Sequence, residues 1–215
     1  MYQTILFDLD GTLTDSSEGI VKSVLYALDK LGYPLPPRQT LLPFIGPPLL
    51  ESFQKVCQIT EKEAQLAIQY YREYFSKKGL FENQVYLGIE ELLSQLQKNG
   101  KNLILVTSKP EIFAKEILKH FQLDHYFTLI AGASLDESRN KKGEVIRYAL
   151  AQLDNFENST TIMIGDRLHD IVGAKENRLN SMGVLYGFGS RDELETAGAT
   201  YIADTTQQII SILSS

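Results

Sequence analysis

From residue 101 onward, short apolar runs alternate with helix-length segments, and that alternation leaves little choice of architecture. The runs are NLILVT (102–107), YFTLIAG (126–132), TTIMIG (160–165) and SMGVLY (181–186), with a weaker one at ATYIA (199–203). A further run, TILF (4–7), lies near the start. Each is continuous rather than alternating, as in strands of a parallel sheet buried on both faces. Segments 88–99, 110–120, 142–153, 167–177, 191–197 and 205–213 read as the helices between and after them. Pro110 suits the first turn of a helix, and Gly100 suits a helix stop. The pattern predicts an α/β fold with a doubly wound, mainly parallel, Rossmann-like sheet core.

One part breaks the alternation. Residues 16–80 contain no good strand run. SSEGIVKSVLYALDKLG instead puts Ile20, Val24, Leu25, Leu28 and Leu31 on one helical face, and Thr60 with Glu63 forms a capping-box pattern ahead of a second helix. Some 65 residues exceed a simple crossover. The expected organisation is a core of 1–15 and 81–215, with 16–80 an inserted helical cap subdomain above the strand ends where ligands bind in open α/β sheets.

Composition narrows the partners. The 215 residues carry a formal net charge of −6, and no Lys/Arg block forms a stripe, so nucleic acid is not expected as a partner. No stretch approaches the roughly 18 apolar residues of a membrane span, and the opening residues read as a core strand rather than a signal peptide. The single cysteine, Cys57, excludes an internal disulfide and fits a reducing compartment. It reads as buried packing. A cytoplasmic protein is expected; the sequence leaves the oligomeric state open, monomer or weak dimer.

The chemistry concentrates at strand ends. In TILFDLDGTLTDS, Asp8 and Asp10 follow an apolar strand at period-2 spacing, which aims two like charges to one side. D-x-D-G-T arises by chance at roughly 10⁻⁵ per position, and a turn closed by Asp10-Gly11 would leave Asp8 without a reason. A second acidic pair, Asp166 and Asp170, follows the strand TTIMIG. Alone, these acids are as readily helix-capping groups as functional ones. Beside Asp8 and Asp10 at the same sheet edge, they form a group of carboxylates that needs a cation, and all-oxygen ligation points to Mg²⁺. Thr107 and Ser108 end another strand, either as an anion cradle at a helix start or as plain caps. Lys141 and Lys142 open a helix, where the dipole disfavours cations unless an acidic crevice supplies a partner.

These four segments, in this order, resemble the haloacid dehalogenase superfamily of phosphohydrolases, in its phosphoglycolate phosphatase-like branch with a helical cap. FDLDGTLTDS resembles the first motif, LVTS the second, NKKGEVI the third and IGDRLHD the fourth. The resemblance covers essentially the whole chain and implies a phosphatase acting on a small phosphorylated metabolite, such as phosphoglycolate or a nucleoside 5′-monophosphate. It implies that Asp8 is the nucleophile that becomes an aspartyl-phosphate and that Asp10 is the general acid–base. Mg²⁺ would be held by the Asp8 carboxylate, the Asp10 main-chain carbonyl and Asp166, with Asp170 supporting its water shell. Thr107 and Ser108 would hold the transferring phosphoryl group. A lysine, Lys142 by best alignment or else Lys141, would neutralise charge beside Asp8. The cap would exclude water and select the leaving group. A sugar phosphomutase of the same superfamily is the nearest alternative, and a non-enzymatic phospho-acceptor a more distant one.

Other features read as structural. The glycine-rich GVLYGFGS (183–190) lacks a dinucleotide-binding pattern. His120, His125 and His169 have no zinc-like spacing and read as surface residues. FIGPPLL (44–50) reads as a rigid helix start, while the resemblance implies a loop that reaches the substrate. The tyrosines of QYYREYF pack helices, and Lys22, Arg38 and Lys55 read as solvated.

Overall fold

In the computed structural model, which describes residues 1–136 and 138–214, the chain separates into two units, Met1–Thr14 with Val85–Ser215, and Asp15–Gln84. The strands are β1 Thr4–Phe7, β2 Thr14–Asp15, β3 Gln84–Val85, β4 Asn102–Pro110, β5 Leu129–Ala133, β6 Thr161–Gly165, β7 Asn180–Val184 and β8 Tyr201–Ala203. The chain leaves the first unit along β2 and returns along β3. Helices α1 Ser17–Lys30, α2 Leu49–Cys57 and α3 Glu61–Tyr74 belong to the second unit. The first holds α4 Ile89–Lys98, α5 Glu111–His120, α6 Lys142–Leu150, α7 Leu168–Glu176, α8 Arg191–Ala197 and α9 Thr206–Ser214.

The first unit is built on a six-stranded sheet of order β5-β4-β1-β6-β7-β8, parallel throughout. This is the α/β core expected from the apolar runs. Leu6, Ile104, Val106 and Met163 pack with Val145, Ile146 and Ala149 of α6 and Ala174 of α7 in one cluster. The alternate residues Ile5, Phe7, Leu103, Leu105, Ile162 and Ile164 are equally inaccessible, so both sheet faces are covered. Full burial of each such side chain stabilises the fold by about 1.5–3 kcal/mol.

Strand order positions the site. The chain builds outward from β1 to β4 and β5, then returns to the other side of β1 for β6, β7 and β8. That reversal leaves a crevice beyond the carboxyl ends of β1, β4 and β6. Asp8 follows β1, Thr107 lies near the end of β4, and Asp166 follows β6.

Local punctuation differs from expectation in two places. Pro110 is the last residue of β4 with extended backbone (φ −50°, ψ 130°), and α5 begins only at Glu111. Thr107 and Ser108 therefore lie in a strand, not at a helix start. The strand expected from 126 begins at Leu129, because Asp124–Tyr126 form a 3₁₀ turn. Gly100 behaves as expected: it sits at φ +70° after α4, and the Lys101 N–H closes back on the Leu96 carbonyl at 3.0 Å.

In the second unit, α1 and α3 pack on each other, as do α2 and α3. The buried stripe of α1 is Ile20, Val21, Val24, Ala27 and Leu28, while Leu25 and Leu31 are only half-buried. Thr60 caps α3: Glu63 accepts its backbone N–H at 2.9 Å, and the Thr60 hydroxyl accepts the Glu63 N–H at 3.4 Å. Tyr71 stacks on Phe75 at 5.3 Å and Tyr74 lies 5.4 Å from Tyr26, so these rings pack helices together. Lys22 pairs with Glu18 and Glu82, Arg38 with Glu18, and Lys55 with Glu51. Cys57, expected to be buried, is half-buried at the end of α2, and its thiol is pushed up by partial burial.

Candidate active site

Asp8 continues β1 by one residue, its N–H donating to the Ile164 carbonyl at 2.9 Å. That ladder bond fixes the backbone of a residue that is only 5% exposed. Lys142, the first residue of α6, places its ammonium 2.6 Å from Asp8 Oδ1 and 2.9 Å from Asp170 Oδ1, and donates to the Val106 carbonyl at 3.0 Å. Lys141 is exposed. A cation is disfavoured at a helix N-terminus, and the two carboxylates offset that cost.

Asp166 is wholly buried. Its Oδ2 accepts the Phe188 N–H at 2.8 Å, and its Oδ1 accepts the Thr12 hydroxyl at 3.4 Å. Asp170, near the start of α7, accepts the Arg167 N–H at 3.1 Å, which is how an acid in a first helical turn is held. One carboxylate oxygen each from Asp8, Asp166 and Asp170 lies within 4.8 Å of the others.

The Asp10 carboxylate lies outside that trio. Its Oδ2 is 3.0 Å from the ammonium of Lys109, with the two side chains 11% and 5% exposed. Each aspartate of the D-x-D pair thus has its own buried lysine, Lys142 for Asp8 and Lys109 for Asp10. Thr107 is buried, and its hydroxyl accepts the Lys109 N–H at 3.2 Å. Ser108 is half-buried.

The electrostatics of the trio are those of surplus negative charge out of water. Burial pushes the Asp8 carboxyl up to about 7; Lys142 opposes the rise, while Asp170 and Asp10 add to it. Burial, then the charges of Asp170 and Asp8, hold Asp166 well above the carboxylate range. Burial alone would lower Lys142, but Asp170 and Asp8 outweigh it and keep the ammonium charged. The three acids crowd together, and the Lys142 ammonium pairs with two of them, Asp8 and Asp170; that leaves a deficit of positive charge, and buried charge is tolerated only when compensated. The donors are all oxygens, which suits a hard divalent cation such as Mg²⁺. These residues fit such an ion.

The glycine-rich stretch after β7 belongs to this site, though its sequence gave no sign of it. Gly11 turns the chain at φ +84° against Asp166, and a Cβ there would overlap the Asp166 carboxylate. A Cβ at Gly187 would overlap the Gly11 carbonyl and Asp166. Only bare backbone fits, and it brings the Phe188 N–H to Asp166 and the Tyr186 hydroxyl to the Thr12 carbonyl at 3.0 Å. Of the histidines expected at the surface, His120 and His125 are exposed, whereas His169 is half-buried and burial lowers its pKa.

The sequence profile of the haloacid dehalogenase-like hydrolases matches residues 5–184, and the chain belongs to that family. It is 48% identical to a 5′-nucleotidase of Pseudomonas aeruginosa, across 94% of this chain and 92% of that one. A solved structure from Clostridium acetobutylicum, described as a predicted phosphatase, superposes with a TM-score of 0.95 at 50% identity, covering all of both chains. The protein tyrosine kinase A of Mycobacterium tuberculosis is 37% identical in structural alignment, with a TM-score of 0.85 over 100% of this chain and 99% of that one. The expectation of a phosphatase-type enzyme of this family is borne out by the profile and by relatives named for phosphatase reactions. No helix among the described residues is long and apolar enough to cross a membrane.

Proposed function

We propose that this enzyme is a Mg²⁺-dependent phosphatase that hydrolyses a small phosphate monoester, a nucleoside 5′-monophosphate in the first instance, through an aspartyl-phosphate on Asp8. The observation that carries the reading is the buried Asp8 carboxylate held 2.6 Å from Lys142, beside Asp166 and Asp170. The 5′-nucleotidase relative supports the choice of substrate.

Asp8, Asp166 and the main-chain carbonyl of Asp10 would hold the ion, with Asp170 behind them. The ion supplies positive charge that lets a carboxylate approach a phosphate dianion. Lys142 supplies the rest from the protein, orienting Asp8 and offsetting charge on the phosphoryl oxygens. Asp8 attacks phosphorus as the ester P–O bond breaks, and Asp10 gives the leaving oxygen its proton. Asp10 then takes a proton from water as that water attacks phosphorus and the Asp8–phosphoryl bond breaks, which releases phosphate and restores both acids. Thr107 and Ser108 hold the phosphoryl oxygens. The helical unit acts as the cap that selects the leaving group.

The raised pKa of Asp8 has a stability consequence. An unfolded aspartate titrates at about 3.9, so between about pH 4 and the folded value of about 7 the folded state binds more protons than the unfolded one. Stability of the metal-free protein therefore falls as pH rises through that window. Mg²⁺ binding favours the ionised trio, so thermal melts should show a larger stabilisation by Mg²⁺ at pH 8 than at pH 5. An equal gain at both would place the ion elsewhere.

The function itself is tested by a panel of phosphate esters assayed with and without Mg²⁺. The expected result is Mg²⁺-dependent release of inorganic phosphate, fastest from a nucleoside 5′-monophosphate. Conversion of a hexose 1-phosphate to the 6-phosphate without release would mark a mutase, and stable labelling of the protein without turnover a phospho-acceptor.

A further inference from the structure

Lys109 lies outside the metal trio and outside every motif that pointed to the site, yet it is one of the few buried charges among the described residues. Its residue is 8% exposed and its ammonium is 3.0 Å from Asp10 Oδ2. The other oxygen of that carboxylate, Oδ1, is buried and has no hydrogen-bond partner among the described residues. A buried, unpartnered carboxylate oxygen is costly, and it stands here next to a fully paired one. We propose that Lys109 is a positioning residue that clamps Asp10 through Oδ2 so that Oδ1 is the atom presented to the ester oxygen of the substrate. This deepens the reading given above and rests on it.

The backbone around Lys109 is built for such a clamp. The β4–β5 ladder pairs Val106 with Ala131 and then Pro110 with Ala133, so four residue steps on β4 run against two on β5. The excess bulges out at Thr107–Lys109. Bulges of this kind re-aim side chains next to active sites. Thr107 Oγ1 accepts the Lys109 N–H at 3.2 Å and fixes the bulge from within. From outside, the bulge and the start of α5 press on Gly132, where a Cβ would come 2.7 Å from the Lys109 carbonyl oxygen and 2.5 Å from Glu111 Cα. On the other side, Asp10 is held by its bridge to Thr14 and by the Gly11 N–H, which donates to the Thr14 carbonyl at 2.8 Å. Both ends of the ion pair are thus anchored through their backbones. A symmetric carboxylate can offer either oxygen; one fixed ammonium removes the choice.

The clamp acts in the step where Asp10 Oδ1 carries its proton to the ester oxygen while the ester P–O bond breaks and the Asp8–phosphorus bond forms. Poor leaving groups need that proton and good ones do not, so a misplaced Asp10 should be felt only by the former. The test is kcat/KM of Lys109→Met on a nucleoside 5′-monophosphate, an alkyl phosphate, and on 2,4-dinitrophenyl phosphate, alongside thermal melts. General acid catalysis is worth about 10²–10⁴-fold. The expected loss is about a hundredfold or more on the alkyl ester and less than about tenfold on the dinitrophenyl ester. Lys109→Arg, which keeps the charge, should recover most of the alkyl activity. In an Asp10→Asn background, Lys109→Met should add little. Equal losses on the two esters, or no recovery with arginine in a variant that melts normally, would overturn the clamp alone. Absence of Mg²⁺-dependent turnover by the unsubstituted protein would overturn the phosphatase reading, and the clamp with it.

Discussion

Asp8→Asn should lower kcat for any phosphate ester by about 10⁴-fold or more, since removal of a covalent nucleophile leaves only binding and electrostatics to act. The amide has the carboxylate's shape but neither its charge nor its basicity. The metal-free variant should nonetheless melt no lower than the parent near neutral pH. Asp8 there is one of three buried acids crowded together, with its carboxyl pushed up to about 7, so removing its charge relieves repulsion from Asp166 and Asp170. Lys142 keeps Asp170 at 2.9 Å and the Val106 carbonyl at 3.0 Å. Activity and stability should therefore part company: kinetics collapse while calorimetry shows a native transition. A variant that loses both would make Asp8 a structural acid.

Lys142→Met should damage both. The side chain is 4% exposed and pairs with two carboxylates. Removing one partner of a buried ion pair leaves uncompensated charge and costs about 3–5 kcal/mol. Urea denaturation of the metal-free variant at neutral pH should show a loss of that order. Mg²⁺ should return part of it, because the same acids then share the ion's charge. Low pH should return part as well, since protonating Asp8 removes the unpaired charge. Turnover should fall by about 10³-fold with saturating Mg²⁺, the scale for losing a preorganised charge at a transition state. A loss of stability that neither Mg²⁺ nor acid reduces would mean that Lys142 serves packing rather than the acidic cluster.

How much of this was legible beforehand depended on whether a residue's partner lay near it in sequence. The apolar runs needed only their own periodicity, and six parallel strands followed. Asp8 and Asp166 announced themselves by ending such runs. Lys109 did not. Beside Pro110 it reads as an ordinary surface lysine, and its partner Asp10 lies 99 positions away. Only the pairing of β1 with β4, and a bulge set by where β5 sits, bring the two together. The stretch from 183 to 190 was similarly opaque: its glycines are needed because Asp166 and Gly11 crowd against them, a constraint written in another part of the chain. Pro110 is not in the helix because β4 runs four residues past Val106, where its apolar run ends. Ladder pairing with β5 sustains that extension, whereas hydropathy ends at Val106.

The central claim is that phosphorus is bonded to Asp8 during turnover. It is tested most directly by quenching the enzyme with acid while it turns over substrate in Mg²⁺, then mapping the peptides by mass spectrometry. The account predicts one phosphoryl group on the peptide that contains Asp8, removed by hydroxylamine as an acyl phosphate is, and absent from Asp8→Asn. A phosphoryl group on any other residue, or turnover of 2,4-dinitrophenyl phosphate by Asp10→Asn with no phosphoryl group on the Asp8 peptide, would contradict it, since that ester needs no acid in the first step and breakdown of the intermediate is then the slow one.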